Sequence, residues 1–152
     1  MTQKNKSDSS KRLEVENFIT QEIARRNPNL TFSNAPLVFG EVKINVDLYS
    51  TDMSTFYEIY SGIKDLKPGQ KRKLLTDILK LNLIEKLLGK KIEKKLVLVD
   101  NIIEVKLRGI RNSWSDLAIK QFDIEVIVIN LEELDEALYR EVEADKKRQK
   151  MK

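Results

Sequence analysis

The chain has 152 residues, 41% hydrophobic and 34% charged. That is enough for one domain with its own core, and no apolar run approaches the ~20 residues of a membrane-spanning helix. With no cysteine and no histidine, disulfides, thiolate zinc sites and every nucleophile or acid–base system built on those residues are excluded. Any metal must be held by oxygen ligands, which selects hard ions such as Mg²⁺, Mn²⁺ or Ca²⁺. The net charge of +4 tilts the protein mildly toward anionic partners, and its lysines cluster at both ends, around Lys64–Lys73 and around Lys86–Lys95.

Residues 1–10 are polar and small and read as a disordered basic N-terminal tail. The start, MTQKNKSDSSKR, has no apolar core after its lysines and so does not read as a secretory signal; the expected compartment is the cytoplasm. A first helix begins near the serines, with Leu13, Val15, Phe18, Ile19 and Ile23 as its apolar stripe, and Asn27-Pro28-Asn29 stops it. Pro36 to Phe39 reads as a short strand, followed by a turn at Gly40.

Val42 to Ser50 alternates: Val42, Ile44, Val46 and Leu48 point one way, and Lys43, Asn45, Asp47 and Tyr49 the other. Thr51 to Ser54 is turn chemistry, and Thr55 to Ile63 alternates again, with Phe56, Glu58, Tyr60 and Gly62 on one face. The short connection predicts an antiparallel hairpin in which Asp47 lies directly opposite Glu58. Opposed carboxylates on one face repel unless a cation neutralises them.

Pro68 opens a long helix running to about Leu88, with Leu74, Leu75, Ile78, Leu79, Leu81, Ile84, Leu87 and Leu88 as its buried stripe. The opposite stripe carries Gln70, Lys73, Asp77 and Lys80, and Gly89 is the stop. Lys95 to Asp100 is a buried strand, reached by a parallel, right-handed crossover. Ile102 to Arg111 reads equally as an extended segment or a short helix. Ser113 caps a helix over Trp114–Gln121, with Trp114 in the core or closing it. Ile124 to Leu131 is a strand, Glu132 to Lys147 a final helix, and residues 148–152 a basic C-terminal tail. Residues 11–147 therefore form a single α/β domain, a mixed central sheet flanked by helices.

The order helix–strand–strand–strand–helix–strand, with Asp47, then Glu58, then Gln70 before KPGQKRKLLTDILKL, resembles the restriction-endonuclease-like core and the PD-(D/E)xK nuclease signature. The resemblance covers roughly Leu13 to Leu131. It implies that Asp47 and Glu58 bind Mg²⁺ or Mn²⁺, that Gln70 lines the site, and that a lysine two residues after the glutamate helps to activate water. A glutamate of the first helix, Glu14, Glu16 or Glu22, also joins such sites in the family. Here the lysine position holds Tyr60, which offers no cation at neutral pH. Lys43, Lys64 and Lys73 are the lysines near enough to substitute.

A metal held by two carboxylates suits phosphodiester hydrolysis, which needs activated water and neutralised phosphate charge. The expected activity is thus a metal-dependent nuclease acting on DNA. The first alternative is a catalytically degenerate nuclease-fold protein that binds nucleic acid or a protein partner without cleaving. The second is an unrelated α/β interaction module, dimeric through an exposed strand. On the residues alone, Asp47 and Glu58 also read as solvated polar positions bridged to Lys43 or Lys64. The small size favours structure-directed action, or action as a homodimer or with a partner, over sequence-specific cutting by a lone monomer. No membrane partner is expected.

Overall fold

A computed structural model of the protein describes residues 3–109 and 113–150, with side chains over 10–109 and 113–149. The elements in chain order are α1 (Gln3–Arg26), β1 (Phe32–Ser33), β2 (Leu37–Phe39), β3 (Val42–Ile44), β4 (Leu48–Ser50), β5 (Thr55–Tyr60), α2 (Pro68–Leu88), β6 (Glu93–Leu98), α3 (Asn101–Arg108), α4 (Trp114–Gln121), β7 (Ile124–Val128), α5 (Leu131–Leu134) and α6 (Glu136–Lys150). Helical backbone therefore takes in residues 3–10, which sequence had set apart as a tail, and reaches past Lys147 at the other end. Among the described residues no helix is long and apolar enough to cross a membrane.

The main sheet has the order β1-β4-β5-β6-β7, antiparallel from β1 to β5 and parallel from β5 to β7. Its mixed character follows from the connections. The short turn over residues 51–54 returns β5 beside β4, whereas α2 carries the chain across to a parallel β6. One face is covered by α1 and α6, through Val15, Ile19, Ile23, Leu138 and Tyr139 packed on Tyr57, Ile59 and Val97. On the other face α2, α3 and α4 pack Leu74, Ile78, Ile103, Leu107 and Ile119 against Leu96 and Leu98.

The single strand expected over Val42–Ser50 is two strands. Gly40 adopts φ 63°, and the tight turn at Gly40-Glu41 pairs β3 with β2 in a separate two-stranded sheet, with Phe39 opposite Val42. Asn45 to Asp47 then lead into β4, which returns to the main sheet. The chain's alternation is real, but it cannot show that its first half pairs backwards to β2 and only its second half forwards to β5.

α2 begins and ends where expected. Pro68 occupies its first turn, the Gln70 side-chain carbonyl accepts the Lys67 N–H at 2.9 Å, and Gly89 closes it at φ 67°. Its buried face differs from the expected stripe. Leu74, Asp77, Ile78, Leu81 and Ile84 are buried, while Leu79 is 68% exposed and Leu83 and Leu87 are also exposed. The helix is turned so that polar groups on its inner side meet polar groups of the sheet beneath.

The ambiguous stretch after β6 is helical, because Asp100 caps it by accepting the Ile102 N–H at 3.0 Å. Ser113 caps α4, but Trp114 is 71% exposed and closes no core. The strand expected over Ile124–Leu131 stops at Val128, where Asn130 caps α5. The final helix is broken at Asp135, which accepts the Leu138 N–H at 3.0 Å and so starts α6 afresh.

Candidate functional site

β5 is the central strand, so its residues 56, 58 and 60 face α2 and its residues 57 and 59 face α1. Glu58 thus projects toward α2 from a largely apolar face, which also carries Lys94 of β6, and is 2% exposed. The β4–β5 register, Leu48 with Tyr57 and Tyr49 with Phe56, carries Asp47 to the position across from Glu58. Asp47 is half-buried, and its Oδ2 accepts the Ile59 N–H at 2.7 Å, continuing the ladder one step beyond the end of β4.

The lysine that meets Glu58 comes from α2. Lys80 Nζ lies 3.0 Å from Glu58 Oε1 and 3.9 Å from Asp77 Oδ1. The approach to Glu58 is close enough for an ion pair but outside hydrogen-bonding geometry, so Oε1 is buried without a hydrogen bond. Lys73 pairs with Asp77 at 3.7 Å. Burial, reinforced by the charges of Asp47 and Asp77, pushes the Glu58 carboxyl up to about 8 in spite of Lys80. Burial raises Asp77 as well, with Asp47 adding to it against Lys73 and Lys80. The same combination of burial and Asp47 raises Glu16 on α1. Asp47 is therefore the charge felt by carboxylates from three different elements.

Asp47 also opens onto a cavity of about 660 Å³ at the carboxyl end of β5. α1 contributes Lys11, Arg12 and Glu16 to its lining, the end of β5 and the following linker Tyr60, Asp65 and Lys67, and α2 Gln70 and Lys73. Val142, Asp145, Lys146 and Gln149 of α6 close it. Arg12, Lys67 and Lys73 are exposed at its rim, whereas Asp47 is half-buried and Glu58, across from Asp47, is outside the lining. Tyr60 is half-buried, and burial pushes its phenol up to about 12. Its ring folds back over Gly62, where a Cβ would collide with the ring and hydroxyl.

The expected site residues separate into two groups. Asp47 and Gln70 both line the cavity, although the Gln70 carbonyl is engaged in holding the start of α2, whereas Glu58 lies across from Asp47 and meets α2 further along, at Asp77 and Lys80. Lys43 does not join them, since it leaves with the β2–β3 sheet and is exposed there. Lys64 does not join them either. It has φ 71°, donates its N–H to Asp100 Oδ2 at 2.8 Å and sends its ammonium to Glu143 of α6. The lysines present are Lys11, Lys67, Lys73 and Lys146 at the cavity and Lys80 at Glu58.

Of the first-helix glutamates, Glu16 lines the cavity, and Glu22 is held by Arg25 and Arg26. Its signal was its place beside Val15 and Ile19, at the edge of the apolar stripe. Lys80 had a signal too, in the polar stripe with Gln70 and Lys73. The α6 residues had none, because nothing local in the chain announces a contact so distant.

Among the described residues, no group of three or more carboxylates is placed to hold a metal ion. The pair is nonetheless chemically suited to one. A divalent cation between Asp47 and Glu58 would complete the coordination of an oxygen that now has only the Lys80 contact, and would offset the burial and the Asp47 charge that hold the Glu58 proton. The chain matches no protein-family model and no curated protein.

Proposed function

We propose that the protein is a metal-dependent nuclease that hydrolyses phosphodiester bonds of DNA, built on a restriction-endonuclease-like core. The observation that carries this reading is the opposed pair Asp47 and Glu58, with a buried Glu58 oxygen that has an ion-pair contact to Lys80 but no well-formed hydrogen bond, beside a cation-rimmed cavity that Asp47 lines. Asp47 and Glu58 hold Mg²⁺ or Mn²⁺, which when bound supplies charge neutralisation at the phosphate and an activated water. Lys73, with Arg12 and Lys67, takes the phosphate charge at the rim, where Tyr60 cannot. Lys80 acts on Glu58, favouring its ionised form and so its readiness to bind a cation. Gln70 and Pro68 fix the start of α2 and with it the position of Lys73.

The test is incubation with plasmid and single-stranded DNA, with and without Mg²⁺ or Mn²⁺. Cleavage that needs the metal and falls at least about 100-fold in Asp47→Asn supports the reading. A thermal shift gives a readout apart from activity: Mg²⁺ should raise the melting temperature of the wild type and leave Asp47→Asn unmoved. The absence of both cleavage and a shift would overturn it.

A second reading has one observation in its favour. Leu79, Leu83 and Leu87 form an exposed apolar stripe along α2, as in a protein that binds a partner without cutting DNA. Dimeric mass in solution, lost in Leu83→Lys, together with no metal binding, would select it.

A further inference from the structure

The cavity is fenced. Lys11 on α1 pairs with Glu141 of α6 at 3.4 Å. Lys64 in the β5–α2 linker pairs with Glu143, and Lys146 donates to the Ile63 carbonyl and to Asp65. Lysine ties thus join α6 to α1 on one side and to the linker on the other, and the C-terminal half of α6 stands as a wall beside Asp47. The space, a half-open cleft of about 660 Å³, is the size of a small-molecule cleft of about 300–1,000 Å³. It takes a nucleotide and part of its neighbour. With α6 along one side, a space of this size is too narrow for the two strands of a double helix side by side. The exposed cations Arg12, Lys67 and Lys73 are set to follow one phosphate chain into the opening, and the Tyr60 ring lines the interior.

We propose that the substrate is a single-stranded DNA segment, an end or a flap, threaded beneath α6, and that the continuous side of a duplex is excluded. Its catalytic consequence rests on the nuclease reading above, but strand selection is measurable by binding alone. A fluorescein-labelled single strand and the blunt duplex of the same sequence are titrated with the wild-type protein in chelator at low salt, and anisotropy is read. The single strand should bind at least about tenfold more tightly, and its binding should weaken as salt rises. Equal binding, tighter duplex binding or binding to neither overturns the inference.

Lys146→Met, which opens one tie of the wall, should raise duplex binding relative to single-strand binding, while Lys146→Arg should keep the wild-type ratio. A ratio unchanged in Lys146→Met overturns the role given to α6. Single-strand preference with no metal-dependent cleavage would remove the nuclease reading and leave this one standing. Metal-dependent nicking of closed plasmid with no strand preference would do the reverse.

Discussion

Two buried ion pairs join α2 to the sheet, and they are built to opposite ends. At the far end of the helix, Lys94 of β6 is 5% exposed, and its ammonium donates to Asn82 Oδ1 at 2.9 Å and Glu85 Oε1 at 2.7 Å. Glu85 in turn accepts the Ile92 N–H at 3.1 Å, so both charges are hydrogen-bonded. Closer to the cavity, Glu58 of β5 is as deeply buried, but its lysine approaches without a hydrogen bond, and two further carboxylates press on it. A buried pair stabilises only when its remaining valences are filled. The Lys94 pair meets that condition and fastens the helix. The Glu58 pair does not, and its unfilled valence is what a cation or a proton would satisfy.

The contrast can be broken from either side. Glu85→Ala leaves the Lys94 ammonium buried with Asn82 alone and should cost about 3 kcal/mol of folding stability, read by urea denaturation. Glu58→Gln should act in the opposite direction, and only at high pH. In chelator, the unfolded chain releases the Glu58 proton near the ordinary value of 4.5, whereas the folded protein keeps it to about 8. Wild-type stability therefore falls as pH rises between those values and is flat above them. Glutamine has no proton to lose, so Glu58→Gln should be more stable than wild type at pH 8 by on the order of 4 kcal/mol, and the two should converge near pH 4. A constant difference across that window would show that Glu58 titrates normally.

Smaller effects sharpen the division of labour among the lysines. Lys73→Met should lower the rate of DNA cleavage by about tenfold with stability little changed, since Lys73 is 62% exposed at the cavity rim. Lys43→Ala, distant on the β2–β3 sheet, should leave cleavage and stability where they are, within about 0.5 kcal/mol. A large loss there would return Lys43 to the site.

What could be read from sequence was mostly local or periodic. Alternation and a four-residue turn were enough to set Asp47 opposite Glu58, because register in a short hairpin is determined by the loop. Pro68 and Gly89 marked α2 to the residue, because each has its own backbone chemistry there. The failures lie where a choice of partner decides. Lys43 was misplaced because periodicity is indifferent to which neighbour a strand takes. Asp77 was placed outside because a carboxylate reads as solvated until a buried Glu58, Lys80 and Lys73 are known to surround it. Lys146 was invisible as a cavity residue, since its ties to Ile63 and Asp65 cross most of the chain.

Tyr60 and Gly62 carry a consequence for the protein's history. The ring at position 60 occupies the space a side chain at position 62 would need, so the two sites do not change independently. Any residue larger than glycine at 62 requires the ring at 60 to swing away or to be replaced. A lysine at 60, by contrast, could be accepted against the existing glycine, and position 62 would then be open to a side chain of its own.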